Sequence, residues 1–136
     1  PCYLQKRAKD KIFDLNASYA KVFGCNKVPS VDQTKFVFVN DNDSIEIANF
    51  TIKVLYTPGH TDDSVCYIID NFFFSGDTLF KNSVGRTDLI TGNTFKLGQS
   101  LVKIKNLKQD YIIYPGHDGT TSLSSEKKNN PYLKNN

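Results

Sequence analysis

Two histidines occur in the 136-residue chain, and both follow Pro-Gly: Thr57-Pro58-Gly59-His60 and Tyr114-Pro115-Gly116-His117. A third segment, Phe72-Phe73-Phe74-Ser75-Gly76-Asp77, also passes through glycine to a side chain able to bind metal. Imidazole and carboxylate together suit zinc, iron or manganese. Taken singly, each is an ordinary turn residue, and the chemistry lies in the repetition: three apolar runs, each leaving through glycine to a potential ligand. Proline fixes one backbone dihedral and glycine permits a sharp exit, so a side chain on such a turn, anchored by a rigid strand, is held in place for binding.

For the three ligands to meet, the runs before them must be co-directed strands. Residues 36–39, 44–48 and 51–56 are rich in Val, Ile and Phe, are separated by Asn40-Asp41-Asn42-Asp43 and by Asn49, and predict antiparallel strands. Residues 64–69 and 72–75 predict a hairpin through Asp70-Asn71. From Asn93, a good N-cap, Leu97, Leu101, Ile104 and Leu107 recur at helical steps and lead to a strand over 111–114. If the strand before His60 points up, 64–69 descends, 72–75 rises, the helix descends and 111–114 rises again. His60, Asp77 and His117 then emerge at one edge of the sheet. Upstream, Leu4, Ala8, Ile12, Leu15 and Tyr19 predict a helix over 3–22, ended at Gly24 and followed by a loop over 26–33. The tail over 122–130 predicts one or two helical turns stopped by Pro131.

Composition narrows the function classes. With 39% apolar, 12% aromatic and 23% charged residues, residues 1–136 predict a single domain burying roughly two thirds of its unfolded surface. The longest apolar stretch, Val65-Cys66-Tyr67-Ile68-Ile69, falls far short of the ~20 residues of a membrane helix, which argues against a membrane partner. Seventeen Lys and Arg against fourteen Asp and Glu leave +3 without a charged block, too weak a field to argue for nucleic acid. Three cysteines without a C-x-x-C pair indicate neither a disulfide framework nor a cysteine zinc site, and the expectation is a reducing, cytoplasmic setting.

The set Thr57-Pro58-Gly59-His60-Thr61, Phe74-Ser75-Gly76-Asp77-Thr78-Leu79-Phe80, Gly85-Arg86-Thr87-Asp88 and Tyr114-Pro115-Gly116-His117 resembles the metallo-β-lactamase superfamily in order and spacing. The tail from Glu126 through Asn130-Pro131 to Leu133 is similar to that of its glyoxalase II-like branch, thioester hydrolases acting on hydroxyacyl-glutathione. The resemblance implies an α+β fold of the αββα sandwich type with two metal ions between the sheets, zinc in the first instance and iron or manganese as alternatives. It also implies that His60 is a ligand of the first metal, Asp77 the bridging carboxylate and His117 a ligand of the second. A metal-bound hydroxide would attack the thioester carbonyl of a small, glutathione-derived substrate.

One departure is consequential. The family's first motif, His-X-His-X-Asp-His, is absent, and no histidine beyond His60 and His117 exists to supply it. The chain also begins at Pro1 and contains no Met. The expectation is therefore an incomplete sandwich: residues 1–136 as the C-terminal portion of a longer enzyme, carrying part of the metal site and inactive alone. Such a piece would need a partner for its sheet face, either the missing N-terminal segment or a second copy of itself.

Arg86 either pairs locally with Asp88 or meets an anionic substrate, and local pairing is the favoured reading. Lys81 is a weaker substrate contact that more commonly faces water. Cys66, between Val65 and Tyr67, reads as a small buried side chain, and Phe72 to Phe74 as sheet core covered on both faces. Two functions compete with thioester hydrolysis: a persulfide dioxygenase-like enzyme holding a single iron by two histidines and a carboxylate, and a non-catalytic truncated fragment.

Overall fold

The structure, a computed structural model, describes residues 1–134. Among the described residues, 1–39 form one compact unit and 40–134 a second.

In the first unit, apolar residues at both ends find each other in a short parallel ladder. The strand β1 (Cys2–Gln5) is followed by the one-turn helix α1 (Ala8–Lys11), and β2 (Phe36–Val39) pairs with β1 so that Cys2 faces Phe36 and Gln5 faces Val39. The helix expected over 3–22 is therefore cut to four residues, and 36–39 is parallel to β1. Tyr3 and Leu4 are drawn into the ladder, and no side chain caps α1. The Asp14 carboxylate accepts the backbone N–H groups of Asn16 and Ala17 at 2.8 and 3.1 Å, a turn that competes with helix continuation. Tyr19 follows at φ 58°, outside helical space.

In the second unit, period-two alternation sorts one dry face from one wetter face. Its elements are β3 (Ser44–Ile47), β4 (Phe50–Tyr56), β5 (Val65–Ile69), β6 (Phe72–Gly76), the small hairpin β7 (Leu79–Phe80) and β8 (Ser83–Val84), α2 (Thr94–Lys105), β9 (Ile112–Pro115), β10 (Thr121–Ser122), α3 (Leu123–Asn129) and α4 (Pro131–Lys134). Six strands form a mixed sheet in the order β10-β9-β6-β5-β4-β3, with β6 and β9 parallel and the other neighbours antiparallel. The fold is α+β. Leu55, Cys66, Ile68, Phe73 and Ile113 project from one sheet face into a core closed by Leu97, Leu101 and Ile104 of α2, Leu123 of α3 and Leu133 of α4.

The aromatic trio divides between the two faces. Phe73 is 1% exposed, whereas Phe74 is 39% exposed and stacks on Tyr114 at 5.5 Å, so β6 is not covered on both sides as expected. The helix expected over 122–130 is α3, which ends at Asn129 before Pro131 as expected, and Pro131 then opens a further short helix, since a proline in the first turn forfeits no intrahelical bond. No helix among the described residues is long and apolar enough to cross a membrane.

Candidate metal centre

Strands β4, β6 and β9 run in one direction, so the turns that follow them lie at one edge of the sheet. At that edge Asp77 lies between the two imidazoles. Its Oδ1 is 2.7 Å from Nδ1 of His117, and its Oδ2 is 3.6 Å from Nε2 of His60. The three residues singled out by their spacing are thus brought together.

The Pro-Gly-His turn after β4 is held by α2. Asn93 caps that helix by accepting the Lys96 N–H at 2.9 Å, and its own N–H donates to the Gly59 carbonyl at 2.8 Å. Ser100, one helical face along, donates its hydroxyl to the Pro58 carbonyl at 2.7 Å. Gly59 has φ 147°, and a Cβ there would sit 2.4 Å from Leu97 Cα, so only glycine allows the helix this close.

The Gly-Asp turn after β6 begins at Gly76, with φ 50°, next to an irregularity in the β6–β9 register. Gly116 donates its N–H to the Gly76 carbonyl at 2.8 Å, tying the turn that carries His117 to the one that carries Asp77. Under both lies a buried polar cluster. The Thr57 and Thr78 hydroxyls share a hydrogen bond at 3.2 Å, Thr57 also meets the Cys66 thiol at 3.2 Å, and the thiol donates to the Ser75 carbonyl at 3.5 Å. Burial pushes the Cys66 thiol up from 9.0 to about 11, which suits a packing residue and not a nucleophile.

Hydrogen bonding orients both imidazoles. His60 Nδ1 lies 2.8 Å from the Arg86 carbonyl oxygen, which only accepts, so Nδ1 donates there and Nε2 faces Asp77 Oδ2 at 3.6 Å. His117 Nδ1 lies 2.7 Å from Asp77 Oδ1, which turns that ring's Nε2 away from the carboxylate. Phe80 meets the His117 ring edge-on at 5.8 Å. The packing is close: a Cβ on Gly116 would fall 2.4 Å from Asp77 Oδ1, and one on Gly85 would fall 1.8 Å from the Asp77 carbonyl and 3.1 Å from His60 Nδ1.

These donors are of the kind that zinc, iron and manganese take, and a glycine-lined cradle around the carboxylate is consistent with such a group. Among the described residues, however, no three His, Cys, Asp or Glu side chains surround one common point as a metal cage. The carboxylate spans the space between the rings, one oxygen turned to each.

The Arg86 guanidinium forks onto Asp88, with Nε and Nη2 donating at 2.5 and 2.6 Å, and both side chains are about two-thirds exposed. That pairing holds the Asp88 carboxyl down at about 2. The contact of Arg86 with the site is its carbonyl on His60, a role that no side-chain pattern announces. Lys81 is exposed at the tip of the β7–β8 hairpin. Sequence reasoning missed Phe80, Gly85, Thr57 and Thr78 as the packing around His60, Asp77 and His117, and gave no role to Glu126 and Asn130.

The sequence profile of the metallo-beta-lactamase superfamily matches residues 5–117. The hydroxyacylglutathione hydrolase of Francisella philomiragia is 39% identical over 84 residues, which are 60% of this chain and 33% of that protein. The probable metallo-hydrolase YqgX of Bacillus subtilis is 30% identical over 139 residues, covering 98% and 64%. The chain thus spans 33% to 64% of the length of these two curated relatives. Among solved structures, BLEG-1, a B3 metallo-beta-lactamase, superposes with TM-score 0.87 at 32% identity over 98% of this chain and 65% of its own. ETHE1 from Myxococcus xanthus superposes at 0.67, with 39% identity over 70% and 44%. TTHA1623, in a di-iron-bound form, superposes at 0.81, with 28% identity over 98% and 65%.

Proposed function

The chain belongs to the metallo-beta-lactamase superfamily, and from that premise we propose that it carries the Asp-His-His part of the metal site of a thioester hydrolase of the glyoxalase II type. The observation that supports this most directly is a carboxylate flanked by two imidazoles, with Asp77 Oδ1 2.7 Å from His117 Nδ1 and Oδ2 3.6 Å from His60 Nε2.

His60, Asp77 and His117 would hold the metal, and zinc is the first candidate. When bound, such ions supply Lewis-acid polarisation of a carbonyl and acidify bound water. The protein's own contribution is orientation. The Arg86 carbonyl holds Nδ1 of His60, Asp77 holds Nδ1 of His117, and Phe80 packs edge-on against the His117 ring, the kind of support that sets ring direction. The hydroxyacylglutathione hydrolase relative supports a glutathione thioester as substrate.

The test uses protein expressed from the complete reading frame. Stripped of metal and reloaded with zinc, it should release thiol from S-lactoylglutathione. Turnover that is absent, or equal in the stripped and reloaded forms, refutes the proposal.

A second reading, a persulfide dioxygenase-like iron enzyme, is favoured by the donor set of two imidazoles and one carboxylate, and iron by the di-iron neighbour. Oxygen uptake with glutathione persulfide, together with iron in the purified protein, would select it.

A further inference from the structure

The tail of the chain buries two polar side chains that the proposed chemistry leaves without a role. Glu126 and Asn130, one turn apart at α3, are both 0% exposed. Burying a carboxylate and a carboxamide is costly unless every polar atom is bonded, and here the partners converge on one short segment. The Asn130 amide donates to the carbonyls of Ser83 at 3.0 Å and Phe80 at 3.4 Å, and to Glu126 Oε2 at 2.8 Å. Glu126 Oε2 also accepts the Asn82 backbone N–H at 2.8 Å, and its Oε1 accepts the Thr121 hydroxyl at 2.6 Å.

Phe80 to Ser83 is the turn of the β7–β8 hairpin, which has two residues in each strand and places Asn82 at φ 58°. A ribbon that short does not hold itself. Its two ends nevertheless flank both imidazoles: Phe80 lies against His117, and the chain leaving Val84 carries Gly85 and the Arg86 carbonyl to His60.

We propose that Glu126 and Asn130 are positioning residues of the candidate metal centre. They clamp the hairpin backbone so that Phe80 orients His117 and the Arg86 carbonyl orients His60. Apolar side chains would fill the same space without fixing the hairpin's register, because they lack directional bonds to Asn82, Phe80 and Ser83. The inference rests on the metal-site reading for its affinity measurement only.

The experiment compares Asn130→Ala and Glu126→Gln with Ile104→Ala, a core truncation at the far end of α2, all in protein from the complete reading frame. Three quantities are read: the thermal midpoint, the imidazole proton resonances of His60 and His117 in metal-free protein, and zinc affinity by chelator competition. The clamp variants should move the imidazole resonances and weaken zinc by roughly 10–100-fold, the usual effect of removing groups that orient ligands. Ile104→Ala should lower the midpoint and leave the other two unchanged.

Unmoved resonances in folded Asn130→Ala would overturn the proposal, as would equal movement in Ile104→Ala. Should Asn130→Ala fail to fold, Thr121→Val, which removes one bond to Glu126, is read by the same criteria. A protein that binds no zinc would refute the metal reading, and the metal-free resonances would still decide the clamp.

Discussion

Replacing Gly116 by alanine separates the integrity of the fold from the integrity of the site. The added Cβ would lie 2.4 Å from Asp77 Oδ1 and 3.3 Å from the Gly76 carbonyl carbon. Gly116 is outside the left-handed region, so alanine fits its backbone, and the stiffer unfolded chain contributes about 0.4–1 kcal/mol of stability. What must move is the end of the Asp77 side chain, and its 2.7 Å bond to His117 is lost. A hydrogen bond to a charged group is worth about 1.5–3 kcal/mol when enclosed. With His117 71% and Asp77 30% exposed, solvent screening brings this toward about 1 kcal/mol. The two contributions nearly cancel, and urea unfolding should show a change of no more than about 1 kcal/mol. Zinc affinity should fall roughly 10–100-fold, because the displaced carboxylate is a proposed ligand. A variant that unfolds normally and binds zinc as well as the parent would refute the reasoning, since Asp77 would then be moved without consequence. A large loss of stability would refute it differently, by showing that the backbone yields before the side chain does.

Three further outcomes follow from the packing. Gly85→Ala should behave in the opposite way to Gly116→Ala: its Cβ would meet the Asp77 carbonyl at 1.8 Å, where only backbone can give, so denaturation should show a loss of roughly 3 kcal/mol or more. Asn93→Ala removes the cap of α2 and should cost about 0.5–2 kcal/mol by chemical denaturation, with lowered hydrogen-exchange protection at the Lys96 amide. Cys66 makes stability fall in alkali: its thiol ionises near 9.0 in the unfolded chain and near 11 in the fold. The stabilisation it lends is complete below pH 9 and lost as pH rises to about 11, by roughly 2–3 kcal/mol. The difference between parent and Cys66→Ala, measured at pH 7.5 and pH 10.5, should shrink by an amount of that order, and a constant difference would refute the assignment.

The turns that carry His60, Asp77 and His117 to one edge were legible because each is a local pattern. An apolar run, then Pro-Gly or Ser-Gly, then a donor residue, fixes a strand and its exit within one short segment, 50–60, 72–77 or 112–117, and alternating strand directions carry the three exits to one edge. The same local reading failed at residues 3–22, where apolar residues at steps of three and four lie in a ladder and in successive turns. There the deciding groups were Phe36 to Val39, more than thirty residues away, and the Asp14 carboxylate, which is polar and invisible to a hydrophobic period. The aromatic trio misled for a related reason: three successive Phe residues look covered on both faces, yet alternation turns only Phe73 inward.

What positions these three side chains is non-local throughout. Thr57 reaches Thr78 across 21 positions, His60 reaches the Arg86 carbonyl across 26, and Asn130 reaches Ser83 across 47. None of these contacts has a period, because each joins a side chain to whatever backbone or hydroxyl the fold delivers. An imidazole placed by its own strand still has two tautomers and a rotating ring, and only such distant partners remove that freedom. If His60, Asp77 and His117 hold a metal as proposed, the donors are found from spacing, whereas their orientation depends on the Arg86 carbonyl and on the buried bonds of Asn130 and Glu126, and substitutions at Asn130 and Glu126 should weaken zinc binding while leaving all three donors in the chain.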